Sequence, residues 1–359
     1  MTERAAPYCL LPCLLLGLLS CADGDGAEDT TPRRSATSAG GTTADLFTLV
    51  PEGADLLVRV DLRRLRRFWR ARPWSQGVQD TDRVAERLDK TLGSALLRRA
   101  DVLVAALWFQ TESAPAQLLL IARGRRTEGP GLAQLARKRI DGGGPAAPRR
   151  PPRGKGAPAA KRPRWGRYRG VDLIERQGAA TALLSPYSVV SGPSLLVRQA
   201  VDLQQAVPGR ASAREDRVLM ALWKLVAGAR AGKAPLLAAV VHLPAAARRR
   251  LTRLYKLPGP VHRAGLRVSG GSWMTARAFV DVAGRAAARG MIEALQRHVQ
   301  RLVGSRLGQK LGLARLLSPL AVHHEGGRIY LQWALPVGRL DGYVAPVLRL
   351  LRRRPPPRP

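Results

Sequence analysis

After residue 21 this chain of 359 residues contains no cysteine. A small exported domain stapled by disulfides is thereby excluded, and no CxxC spacing exists to hold a metal. HExxH and G-x-S-x-G are absent as well, and Gly142-Gly143-Gly144 lacks the lysine of a phosphate-cradling loop. Acidic residues are scarce, 26 Asp+Glu against 60 Lys+Arg, and those present lie scattered beside arginines rather than as a pair fit for glycosidic chemistry. Nothing here points to a cofactor, and an enzyme is not the expected reading.

What is present is ordinary in amount and extreme in sign. A hydrophobic content of 45% suits a globular protein, and the length is enough for two domains. The formal net charge of +34 comes mostly from arginine. GC-rich codons inflate Arg, Ala, Gly and Pro together, so part of this excess follows from genome composition. The field exists whatever its origin: it attracts phosphate-rich surfaces, raises their encounter rate and is screened by salt.

The first 21 residues have export character. Arg4 precedes an apolar stretch from Ala5 to Leu19, and Leu18-Leu19-Ser20-Cys21 closes it. Fifteen residues of helix rise only ~22 Å at ~1.5 Å each, short of the ~30 Å hydrocarbon core. The segment is a poor permanent span. Its ending resembles the lipobox of bacterial lipoproteins, which implies cleavage by signal peptidase II before Cys21 and acyl chains, palmitate among them, on that cysteine. Ala22 rather than Asp follows, which by resemblance to bacterial sorting rules points to the outer membrane rather than the inner. An ordinary secretory signal cut near Ala22, giving a secreted or periplasmic protein, is the alternative. The opening Pro51-Glu52-Gly53-Ala54-Asp55 with Val58-Arg59-Val60-Asp61-Leu62 looks like the start of some uncharacterised bacterial lipoprotein bodies, a likeness that brings no activity.

The chain divides by composition. Residues 1–20 are the signal, and 21–44 are a Gly, Ser, Thr and Asp tether reaching ~25 Å at ~5–6 Å per root residue. Residues 45–140 and 167–351 form two α+β units with mainly antiparallel sheets, joined by a disordered basic linker at 141–166, and 352–359 is a basic Pro-rich tail. In the first unit, strands are expected at 56–60, 102–109 and 117–122, and helices at 62–72 and 83–99. In the second, strands are expected at 168–175, 180–184 and 187–191. A helix capped by Ser194 runs to Val207, and another presents Val218, Leu222 and Leu225 on one face. Hairpins are expected about Gly270-Gly271 and Gly326-Gly327. Strand 56–61, helix 62–72 and two further strands echo strand 235–243, helix 245–255 and the strands at 263–282.

Candidate chemistry is thin. His323 and His324 are neighbours on an expected strand and point to opposite faces, so no metal is expected there. His298 falls in register with Met291, Leu295 and Leu302, as a core or boundary residue. The distinctive stretch is the basic one. Residues 137–169 hold twelve basic side chains against one Asp. Arg149, Arg150, Arg153, Lys155, Lys161, Arg162, Arg164 and Arg167 are the expected anion contacts, with Trp165 among them as a ring that inserts between headgroups or stacks on bases. The expectation is a non-enzymatic, lipid-anchored cell-envelope protein touching anionic lipid, glycolipid or an acidic partner. Nucleic-acid binding is the alternative, and a hydrolase with an unrecognised site the third reading.

Overall fold

The computed structural model describes residues 44–70, 100–109, 116–124, 164–176, 178–227, 234–310, 312–340 and 342–343. Among them the apolar runs become strands: β1 (Leu56–Asp61), β2 (Ala100–Trp108) and β3 (Gln117–Gly124), then β4 (Arg164–Tyr168), β5 (Val171–Arg176), β6 (Ala179–Ser185) and β7 (Ser188–Pro193). After these come β8 (Leu237–His242), β9 (Val261–Ser269), β10 (Trp273–Val282), β11 (Ala321–Glu325) and β12 (Arg328–Pro336). All twelve lie in one sheet, ordered β11-β12-β10-β9-β8-β1-β2-β3-β7-β6-β5-β4. The protein is α+β, with an antiparallel sheet and packed helices.

The two units expected at 45–140 and 167–351 contribute to one sheet rather than two. β1, β2 and β3 are its middle, with β8 on the free edge of β1 and β7 on the free edge of β3. A three-stranded sheet alone would leave both edges unpaired, and strands apolar on both faces cannot stand at an edge in water. At the centre β1 and β8 run antiparallel, Leu56 opposite Val241 and Val60 opposite Leu237. The order outward from this pair repeats: β1-β2-β3-β7-β6 on one side, β8-β9-β10-β12-β11 on the other. The expected echo is therefore an approximate two-fold normal to the sheet.

Eight helices among the described residues lie on the two faces. On one face α1 (Ala44–Phe47), α3 (Ser194–Gln204) and α4 (Arg217–Ala227) cover a core that includes Phe47, Leu57, Val104, Leu119, Val190, Leu219 and Phe279. On the other, α2 (Leu62–Arg70) packs Leu62 and Leu65 against Val60, Leu103 and Ala122. There too α6 (Gly284–Gly304) sets Ala288, Met291 and Ile292 on Val282, Ile329 and Leu331. α5 (Ala245–Tyr255) follows β8 as α2 follows β1, and Arg248 meets His262 of β9 at 2.6 Å. α7 (Arg306–Lys310) and α8 (Leu313–Leu317) complete the set, with the Trp333 indole N–H donating to the Leu316 carbonyl at 2.8 Å.

Gly265 shows how closely α4 approaches. A Cβ there would stand on the Phe279 ring and 2.5 Å from Cγ2 of Val226. Arg59 of β1 is the exception to an apolar centre. It is buried, its nearest carboxylate is Asp61 at 3.8 Å, and its Nε finds no hydrogen-bond partner. Burial pushes its guanidinium below the ordinary value, with Asp61 opposing.

Four expectations shift. The strand 168–175 is two strands, broken by Arg169 and Gly170, both at positive φ (49° and 76°), the pair of left-handed residues a two-residue hairpin turn needs. Residues 164–166, expected in the disordered linker, belong to β4 and pair with β5; the rest of that linker lies outside the described residues. α4 buries Leu219, Leu222 and Val226, leaving Leu225 exposed. The phase turns because Asp216 caps the helix through the Val218 and Leu219 N–H groups, while Ser212 and Glu215 close a turn just before it. His298 is exposed, since α6 meets the sheet through its first half, at Ala288, Met291 and Ile292. The helix expected at 83–99 lies outside the described residues.

Candidate functional site

Cys21 and the basic residues Arg149, Arg150, Arg153, Lys155, Lys161 and Arg162 lie outside the described residues. Arg164, Trp165 and Arg167 lie within them, on β4 at one end of the sheet. Alternation along the strand puts Trp165 and Arg167 on one face, with Arg164, Gly166 and Tyr168 on the other. Trp165 is 44% exposed. The Arg167 side chain is 78% exposed and holds Asp172 at 3.2 Å. An aromatic ring and two guanidinium groups are thus presented to solvent on a strand with one unpaired edge among the described residues.

The other face of β4 is fastened to α3. Tyr168 donates its hydroxyl proton to Asp202 at 3.0 Å, and Arg169 and Arg210 reach the same carboxylate at 2.6 and 3.5 Å. Asp202 is 2% exposed and sits in the last turn of α3, where the helix dipole disfavours a negative charge. The two arginines offset that cost. Donating to the Tyr168 oxygen and to the Asp202 carboxylate holds the Arg169 guanidinium above its ordinary pKa. Arg169 and Arg198 also lie over the Tyr168 ring, at 5.7 and 5.4 Å from its centroid.

At the opposite end of α3, Ser194 is its first residue, not its N-cap, and the helix stops at Gln204 rather than Val207. Pro193 occupies the cap position without a side-chain bond. The Ser194 hydroxyl donates instead to Glu175 of β5, which Arg198 meets at 2.9 Å. Those two contacts hold the Glu175 carboxyl below its ordinary value, Ser194 contributing most. A carboxylate beside the first turn supplies the negative charge α3 lacks there.

A cavity of about 310 Å³ opens beside the C-terminal end of α3. Leu49, Leu184 and Leu203 form its apolar wall. Arg123 of β3, Ser185, Ser188 of β7 and Gln204 stand among the polar residues of its lining. Among the described residues the lining holds serines but neither histidine nor carboxylate.

His323 and His324 lie on opposite faces of β11. His323 stacks on Tyr330 at 5.0 Å, and Nδ1 of His324 is buried without a partner. Among the described residues no group of three or more metal-ligating side chains converges. No helix among them is long and apolar enough to cross a membrane.

No known protein family matches the chain, and no curated protein does. Among solved structures it is similar to TP0453. Crystal form I shares 12% identity at a TM-score of 0.43, over 83% of this chain and 96% of that one. Crystal form III shares 10% at 0.42, over 83% and 97%. Form IV shares 11% at 0.39, over 83% and 96%.

Sequence reasoning missed Asp202, whose partners are distant along the chain, and Arg123, which meets its cavity only once β3 and β7 pair. It also missed the bare part of the sheet. On the α4 side, beyond the covered Phe279, the residues Trp273 and Arg277 of β10, Gln332 of β12 and His323 of β11 are exposed. Arg277 stands in the same cross-strand row as Arg267. Alternation alone would have placed these arginines on one face, had the sheet order been legible.

Proposed function

We propose that this chain is a non-enzymatic, lipid-anchored protein of the bacterial cell envelope, held by acyl chains on Cys21, whose cationic surface contacts anionic headgroups. The outer membrane is the proposed site, because Ala22 follows the modified cysteine. The observation that carries the contact is β4, where Arg164, Trp165 and Arg167 stand exposed at the end of the densest positive stretch in the chain. The Tyr168–Asp202 clamp supports it, because a strand fixed to α3 presents its ring and charges without freezing them anew on contact.

Each basic residue near an anionic leaflet contributes ~1 kcal/mol. The variant R164Q/W165A/R167Q therefore loses about 2 kcal/mol from its arginines, roughly thirtyfold in partitioning. Flotation with vesicles containing phosphatidylglycerol, against pure phosphatidylcholine, measures it. Equal partitioning on both vesicles, or an unaffected triple variant, refutes the contact. Mass spectrometry of the mature N-terminus from native membranes tests the anchor, and an unmodified Cys21 refutes it.

Single-stranded nucleic acid is a second reading, favoured by the exposed Trp273, Arg277 and His323 on the bare sheet. Its mark is an affinity for oligonucleotide that falls steeply as salt rises. Binding that ignores salt refutes it.

A further inference from the structure

We propose that the cavity beside the C-terminal end of α3 is a binding site for a small organic acid: one carboxylate on a short apolar body. This rests on the cavity alone and is independent of the lipid anchor and of the β4 surface.

Arg123 carries the argument. Four other buried or half-buried arginines have an acceptor. Arg59 has Asp61, Arg66 has Asp101, Arg328 has Asp281, and Arg267 has the Val226 and Ala227 carbonyls. The Arg123 guanidinium makes no hydrogen bond or ion pair with any described residue, yet it is half-buried and lines the cavity. A fork of fixed N–H donors matches a carboxylate.

The neighbouring groups are donors too. Ser188 lies directly opposite Arg123 across the β3–β7 pair and is buried. Ser185 Oγ already accepts the Tyr187 N–H at 3.2 Å, so its own proton is left to give. No carboxylate stands in the lining to compete for the arginine. The exposed carbonyls that end a helix would repel an anion, but three of the last four in α3 are occupied. Val201, Asp202 and Leu203 accept from Gln205, Val207 and Ala206, and the Gln204 amide is turned to the Leu184 carbonyl at 2.8 Å.

The apolar part of the lining is Leu49, Leu184 and Leu203, which fits methylenes and not a second charge. The cavity is at the low end of ligand-site volumes, about 300–1,000 Å³, which limits the body to a short chain or a single ring.

The test uses the purified full chain and four probes: hexanoate, hexanol, hexylamine and acetate, with binding read from the amide resonances of Ser185, Ser188 and Gln204. Hexanoate is expected to bind at least tenfold more tightly than hexanol, which lacks the charge, and than acetate, which lacks the body. Hexylamine should not bind. Arg123→Gln should weaken hexanoate tenfold or more and leave hexanol unchanged, and Leu203→Trp should abolish both by filling the space. Comparable binding of hexanol and hexanoate overturns the proposal, as does comparable binding of acetate or no binding of hexanoate. The probe comparison needs no variant, so it decides the matter even if a substitution unfolds the chain.

Discussion

Removing the Asp202 carboxylate should release the β4–β5 hairpin from α3. The Tyr168 hydroxyl donates to it from a half-buried position, and a hydrogen bond to a charged group contributes about 1.5–3 kcal/mol. Arg169 and Arg210 are nearly half exposed, at 47% and 48%, so solvent screens both pairs and they add little beside the Tyr168 bond. Asp202→Asn keeps an acceptor for Tyr168 but gives up both charge pairs and part of that bond, so the expected loss is about 1–3 kcal/mol. Tyr168→Phe should cost about 1.5–3 kcal/mol by the same reasoning. Urea unfolding at low salt measures both, and the double variant measures their coupling. The coupling should exceed about 0.5 kcal/mol and survive 1 M salt, because a direct hydrogen bond is not screened as exposed pairs are. Amide exchange should quicken first in β4 and β5. If the two losses add to within about 0.3–0.5 kcal/mol, or exchange rises uniformly over the sheet, the clamp does not hold the strand.

Three further outcomes follow from the packing and the charges. Gly265→Ala should destabilise by about 1–3 kcal/mol in thermal or urea unfolding, because its Cβ has no room between Phe279 and Val226; a neutral result would mean α4 stands further off. Leu222→Ala should cost about 2–5 kcal/mol, whereas Leu225→Ala should stay within about 0.5 kcal/mol, which checks the phase of α4. Glu175 is held below its ordinary pKa in the fold, so its stabilising effect is present above the unfolded value and is lost as pH falls through the folded one. Glu175→Gln should therefore be less stable than the parent at pH 7, with the gap narrowing toward pH 3; a gap that does not narrow refutes the Ser194 and Arg198 contacts.

Much of the architecture was legible because it is local. Alternation and Gly-Gly dipeptides mark the β9–β10 and β11–β12 hairpins, and the strand–helix echo marks the repeat about β1 and β8. Other features escaped for physical reasons. The turn between β4 and β5 puts an arginine at positive φ, so the Asn-Gly or Asp-Gly signal of such turns is missing. A single sheet cannot be told from two by composition, since pairing of β1 with β8 depends on which edges are left free and not on local preference. The Asp202 clamp joins residues 34 apart, and a lone acid in a helical stripe carries no mark of its partners. The basic stretch was legible as charge, while only the sheet shows that Arg164, Trp165 and Arg167 belong to a fixed strand.

The central seam has a consequence for biogenesis. Leu56 waits for Val241, half the chain away, before its strand is closed on that side. At about 5–20 residues per second, synthesis leaves that edge open for on the order of 10–40 s. An inward-pointing charge is one way proteins discourage a naked strand from pairing with the wrong neighbour. Arg59 occupies the middle of that strand, where an apolar residue would pack better in the finished sheet. A positive charge there makes wrong pairing of the open edge costlier, at the expense of a poorer fit in the finished sheet.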